Sequence, residues 1–206
     1  MSLPPRPIIA GVTSGLFLMS FFTLLWLTNL FAVLPIAVAA TLWTLGLLLA
    51  ALFVTTAIRL LRVRAAFPAE LSEADQRFHR RTGMWFGIVF GAEFVLIAAA
   101  AIILNATGRQ DYVVPAIALV VGLHFYPFAP LFQRKIDYWL ATWTTLVGLT
   151  GILLLALTGT AVNTVVAVVA LGTACATIAY GLWNTAQANH LRRLASGATV
   201  PEAGVS

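Results

Sequence analysis

Charge is the scarcest ingredient of this chain. Asp, Glu, Lys and Arg make up 9% of its 206 residues, against 61% hydrophobic. A water-soluble domain of that composition, with a mean hydropathy of +0.95, has too little polar surface to cover itself. Cysteine is nearly absent: Cys175 stands alone inside an apolar run, which excludes a disulfide framework and a thiolate metal site and leaves a small packing residue. Of the three histidines, only His124 lies within a long apolar run, so a haem held by two facing membrane histidines is not expected. There is no glycine-rich phosphate loop, no His-Glu-x-x-His and no serine elbow. We therefore expect no enzyme, no cofactor and no metal. The net charge of +5 sits between apolar runs and not on one basic face, which argues against nucleic acid as a partner. Asn105-Ala-Thr107 fits a glycosylation acceptor but hugs an apolar run and has no meaning in most bacteria. Arginine outnumbers lysine eleven to one and alanine is abundant, which hints at a GC-rich bacterial source.

What the chain has in abundance is apolar length. A membrane span needs about 20 apolar residues. Six such runs are read at about 8–31, 36–58, 82–104, 113–132, 138–158 and 164–184. The first is too long for the core of a cleavable leader and is read as a retained span. The expected fold is an all-α, six-helix membrane bundle over residues 1–186, built of three helical hairpins, followed by a polar, largely disordered tail over 187–206. Ser72-Glu-Ala-Asp75 reads as the capped start of the third helix, ahead of the membrane. Eleven of the twelve basic residues fall in the N-terminus, the second and fourth loops and the tail, and only Arg109 falls opposite. That asymmetry predicts both termini on the cytoplasmic side of a bacterial cytoplasmic membrane. Leu104-Asn-Ala-Thr-Gly108 and Leu155-Ala-Leu-Thr-Gly159 end two spans alike, either as a parallel two-helix repeat or as small residues recurring at helix ends.

Two residues stand out against this background. Glu93 is the one acid, and His124 the one histidine, placed deep in an apolar run. A charge at the centre of a membrane helix costs about 2.5–3.5 kcal/mol or more, so each demands a reason. Glu93 lies about 16 Å in from Thr82 and His124 about 12 Å in from Phe132, at 1.5 Å per residue, on helices joined by a short turn. The two are expected to face one interior space, either as a hydrogen-bonded clamp or as a proton or cation site. Pro127 and Pro130 remove backbone donors beside His124, which predicts a kink or irregular turn between Leu123 and Pro130 with exposed carbonyls, and brings Tyr126 into the candidate site. Gly83, Gly87 and Gly91 share a stripe about 200° away from Glu93, suited to close helix packing and to a homo-oligomer through the third helix.

The run Pro115-Ala-Ile-Ala-Leu-Val-Val-Gly-Leu-His124-Phe-Tyr-Pro127-Phe-Ala, preceded by Glu93 in the partner helix, resembles a group of uncharacterised small bacterial multi-pass membrane proteins, mainly over residues 82–132. The resemblance implies a shared membrane fold and lends no activity. Two function classes follow: a small solute, ion or proton-coupled transporter or channel, its ligand unspecified, or a structural or accessory protein that binds membrane partners through glycine-lined helix faces. An integral-membrane enzyme ranks behind both.

Overall fold

A computed structural model describes residues 3–69 and 73–198. The described residues are helical, without strands, in the order α1 (Arg6–Thr28), α2 (Ile36–Arg62), α3 (Glu73–Ala106), α4 (Val113–Phe132), α5 (Lys135–Leu153) and α6 (Val162–Ala198). All six carry a segment long and apolar enough to cross a membrane. Ser72, expected to cap α3, and residues 199–206 of the expected tail lie outside the described residues.

The helices stop where backbone chemistry tells them to. Prolines precede two of them, Pro5 before α1 and Pro35 before α2. At the end of α3, Gly108 takes a left-handed φ of 69°, and the Arg109 amide reaches back to the Leu104 carbonyl at 2.7 Å. That is the six-to-one bond of a glycine C-cap. α5 passes into a π turn, Leu154–Thr158, that ends at Gly159 with φ 62°. Thr107 and Thr158 each donate to the carbonyl four residues back, at 2.8 and 2.7 Å. The two Thr-Gly segments thus share a threonine bonded four residues back and a left-handed glycine.

α4 lacks the irregular turn that is one of the two outcomes expected of its prolines. It runs as one helix through Pro127 and Pro130 to Phe132, so no irregular turn forms between Leu123 and Pro130. Both prolines fall in the last two turns, where Ala129 is buried and Phe128 is buried against Phe86 of α3. Apolar surroundings tolerate prolines when neighbouring helices supply support. The irregularity falls instead at Gln133, which adopts φ 54° and lets the Arg134 amide bond the Ala129 carbonyl at 3.0 Å.

Packing also differs in detail. The most extensive contact joins α4 to α5, followed by α1 with α2 and α1 with α6, so contact is not confined to the three expected hairpins. α6 touches α1, α2, α4 and α5, whereas α3 rests mainly on α4 at the edge. The glycines that allow close approach are not those of α3. A Cβ at Gly122 would collide with the Thr145 backbone, and one at Gly148 with that of Leu119, so α4 and α5 interlock backbone to backbone. At Gly83, Gly87 and Gly91 a Cβ would meet nothing within 4 Å. α3 docks through rings instead: Phe86 stacks on Phe128 at 5.2 Å and tilts against Phe132 at 6.1 Å.

α6 also outruns the expected sixth span and continues past Asn184 to Ala198. Its last turns bury Ala188, Leu191 and Ala195 in a cluster with Ile9, Leu60 and Phe67. Burial of that apolar stripe converts the first part of the expected tail into helix. Phe67, inside the basic loop after α2, is only 1% exposed. The Arg6 side chain ties the loop down by donating to the carbonyls of Arg64 and Phe67 at 3.2 and 3.1 Å.

Candidate functional site

Glu93 and His124 meet. Phe86, Phe90 and Glu93 fall at helical spacing on one face of α3, and the ring contacts that seat this face on α4 carry the carboxylate to the imidazole. Glu93 Oε1 lies 3.2 Å from His124 Nδ1, with the two side chains 6% and 9% exposed. The geometry is that of a close pair and not of a saturated clamp. His124 Nδ1 has no aligned hydrogen bond, and Glu93 Oε2 has no partner. The imidazole is boxed by Phe125 at 4.2 Å and by the edge of Phe128 at 5.1 Å, centroid to centroid.

The other expected members spread outward. Tyr126 turns to α5, where its hydroxyl lies 3.1 Å from that of Thr142. Pro127 and Pro130 line a groove of about 330 Å³ between α3 and α4, together with Trp85, Val89 and Arg81 at its mouth. The groove stops short of the pair: Val89 is one turn from Glu93, and neither Glu93 nor His124 lines it. Gly83, Gly87 and Gly91 lie on the open side of α3.

A second polar cluster was not legible in the sequence. Asp137 reads as part of a short polar turn, yet it is fully buried in the first turn of α5, and neither carboxylate oxygen has a hydrogen bond of good geometry. Tyr180 of α6 and Arg134 stand beside it. Arg134 donates to the Tyr180 hydroxyl at 3.0 Å, while its guanidinium lies over the rings of Phe132 and Trp183. Asn184, one turn beyond Tyr180, is also fully buried, with both amide atoms unpartnered. The signal that could have found them is the register of α6, which puts Thr173, Thr177, Tyr180 and Asn184 on its buried side. Elsewhere that register is satisfied, as where Thr177 meets Thr23 of α1 at 2.9 Å.

Among the described residues, no group of three or more His, Cys, Asp or Glu side chains converges as a metal site would require. Comparison with protein-family models, with curated proteins and with solved structures finds no match, so the functional reading rests on the chain's own geometry.

Proposed function

We propose that this chain is an integral protein of a bacterial cytoplasmic membrane, with both termini inside, that carries a small solute or ion in a proton-coupled way through the Glu93–His124 pair. One observation carries the reading: the buried 3.2 Å contact is left incompletely hydrogen-bonded. Buried polar groups kept only for structure are as a rule fully partnered. A carboxylate beside an imidazole can instead share one proton and change its charge when that proton moves. The groove between α3 and α4 supports the reading by bringing an opening to within one turn of Glu93.

The test is proton uptake by the purified protein in vesicles that hold a pH-sensitive dye, driven by a potassium diffusion potential. Wild-type protein is expected to acidify the lumen. Glu93→Gln, which keeps size and hydrogen bonding but cannot titrate, is expected to abolish the flux. Equal rates in wild type, Glu93→Gln and empty vesicles would remove the transport reading.

A second reading, an accessory protein that binds membrane partners or a second copy of itself, is favoured by the uncovered glycine stripe of α3. Cross-linking of Gly87→Cys in native membranes tests it. No adduct above the monomer mass counts against it.

A further inference from the structure

The two buried carboxylates, Glu93 and Asp137, are linked through aromatic rings. The His124 ring is 4.2 Å from that of Phe125, which in turn meets Tyr180 edge-on at 6.2 Å. The imidazole and the Tyr180 ring therefore share Phe125 as a neighbour and lie at most about 10 Å apart. Phe128 packs on both His124 and Phe125 and closes the layer. Beyond it sit Asp137, Tyr180 and Arg134, at the end of the bundle where α4 hands over to α5. The charged and titratable groups around the layer are Glu93 from α3, His124 from α4, Arg134 from the turn, Asp137 from α5 and Tyr180 from α6. The α1 and α2 members of the surrounding cluster, Leu16, Met19 and Phe53, are apolar.

A carboxylate that only braced the turn would be saturated by its neighbours. Arg134 instead donates to Tyr180, and Asp137 is left with the Tyr180 hydroxyl nearby and no hydrogen bond of good geometry to either oxygen. Leaving a buried acid unpartnered costs free energy that a neutral residue of the same shape would not. Asn184, on the same face of α6 one turn on, repeats the pattern of buried, unused polar atoms.

We propose that Asp137, assisted by Tyr180 and Arg134, is a second proton station that exchanges with the Glu93–His124 pair, and that the Phe125 ring is the barrier between them. The inference rests on the proton-coupled reading of that pair. In the exchange, the O–H bond of the Asp137 carboxyl breaks and its proton passes to water admitted when Phe125 turns aside. A proton from that water chain then bonds to His124 or to the Glu93 carboxylate. Asp137 becomes more negative by one charge and the pair more positive by one, so nothing is oxidised or reduced. Tyr180 positions the water through its hydroxyl, and Arg134 stabilises the carboxylate left behind.

The same vesicle assay separates this proposal from the reading beneath it. With flux present in wild type and lost in Glu93→Gln, Asp137→Asn is expected to slow uptake by roughly a hundredfold, the scale of a lost positioned proton donor. Phe125→Ala is expected to speed it. Uptake at the wild-type rate in Asp137→Asn, with Glu93→Gln still dead, overturns the second station and leaves the first intact. No flux in wild type overturns both. Should Asp137→Asn fail to accumulate in the membrane, Tyr180→Phe takes its place: slowed uptake supports the station, and wild-type uptake overturns it. Infrared spectra give a readout that a bracing role would not move. Proton-driven difference spectra should contain two buried carboxyl bands, one removed by Glu93→Gln and the other by Asp137→Asn. A spectrum that Asp137→Asn leaves unchanged overturns the proposal.

Discussion

At the scale of single residues, burial decides what each polar group is worth. Glu93 and His124 are buried against each other at 3.2 Å, so removing one strands the other. His124→Ala is expected to lower stability by about 1–3 kcal/mol, the cost of an orphaned buried polar group. A double-mutant cycle with Glu93→Ala should yield a coupling of about 0.5–3 kcal/mol. Thermal or denaturant unfolding in detergent measures both, and strict additivity would show that the two side chains do not interact. Gln133 poses a backbone question. Its left-handed φ of 54° suits glycine best, so Gln133→Gly should hold or raise stability by up to about 1 kcal/mol, whereas Gln133→Val should lower it. A stabilising valine would mean that this turn is not left-handed. Sequence reasoning found the first pair because an acid or a histidine in an apolar run is conspicuous. It missed Asp137, which sits beside Arg134 and Lys135 and looks like any polar turn until α6 folds over it.

At the scale of helices, the apolar runs set where each element lies, while the faces through which they meet depend on partners that no local pattern names. Glycines at intervals of four in α3 look like a packing stripe, yet the interlocked glycines are Gly122 of α4 and Gly148 of α5. Aromatic residues seat α3 instead, with the Phe86 ring 5.2 Å from Phe128 and 6.1 Å from Phe132. Substitution separates the two sets. Gly122→Ala and Gly148→Ala drive a methyl group into facing backbone and should cost about 1–3 kcal/mol or more. Gly83→Ala and Gly87→Ala enter open space and should stabilise the monomer by about 0.5–1 kcal/mol through helix propensity. Unfolding midpoints of the four variants give the answer. A loss at Gly87 equal to that at Gly122 would mean that α3 is covered by a partner, the outcome the accessory reading requires. The unbroken course of α4 teaches the same lesson: two prolines predict missing donors, but whether the helix yields depends on what braces Phe128 and Ala129.

At the scale of the whole molecule, six apolar helices were legible from composition and length alone, because hydrocarbon-compatible stretches of that size have few other uses. Their sidedness draws on two independent arguments. The first is charge: eleven of twelve basic residues collect in four segments, and basic residues favour the cytoplasmic side. The second is packing, which charge counting cannot supply. Arg6 bonds the carbonyls of Arg64 and Phe67, and Phe67 shares a buried cluster with Ile9, Leu191 and Ala195, so the N-terminus, the loop after α2 and the end of α6 occupy one end of the bundle. Arg109 lies just past the far end of α3, whose 34 residues from Glu73 to Ala106 span about 50 Å at 1.5 Å per residue. Single cysteines at Gln110 and Gly197 in a Cys175→Ala background therefore should never share a side. We expect a membrane-impermeant maleimide to label Gln110→Cys in intact cells, and to label Gly197→Cys only once the membrane is opened. The reverse pattern would keep the bundle and invert its insertion, which the arginine asymmetry makes costly. Labelling of both from outside would break the pairing of chain ends that Arg6 and Phe67 establish, and with it the six-span arrangement on which the buried Glu93–His124 pair depends.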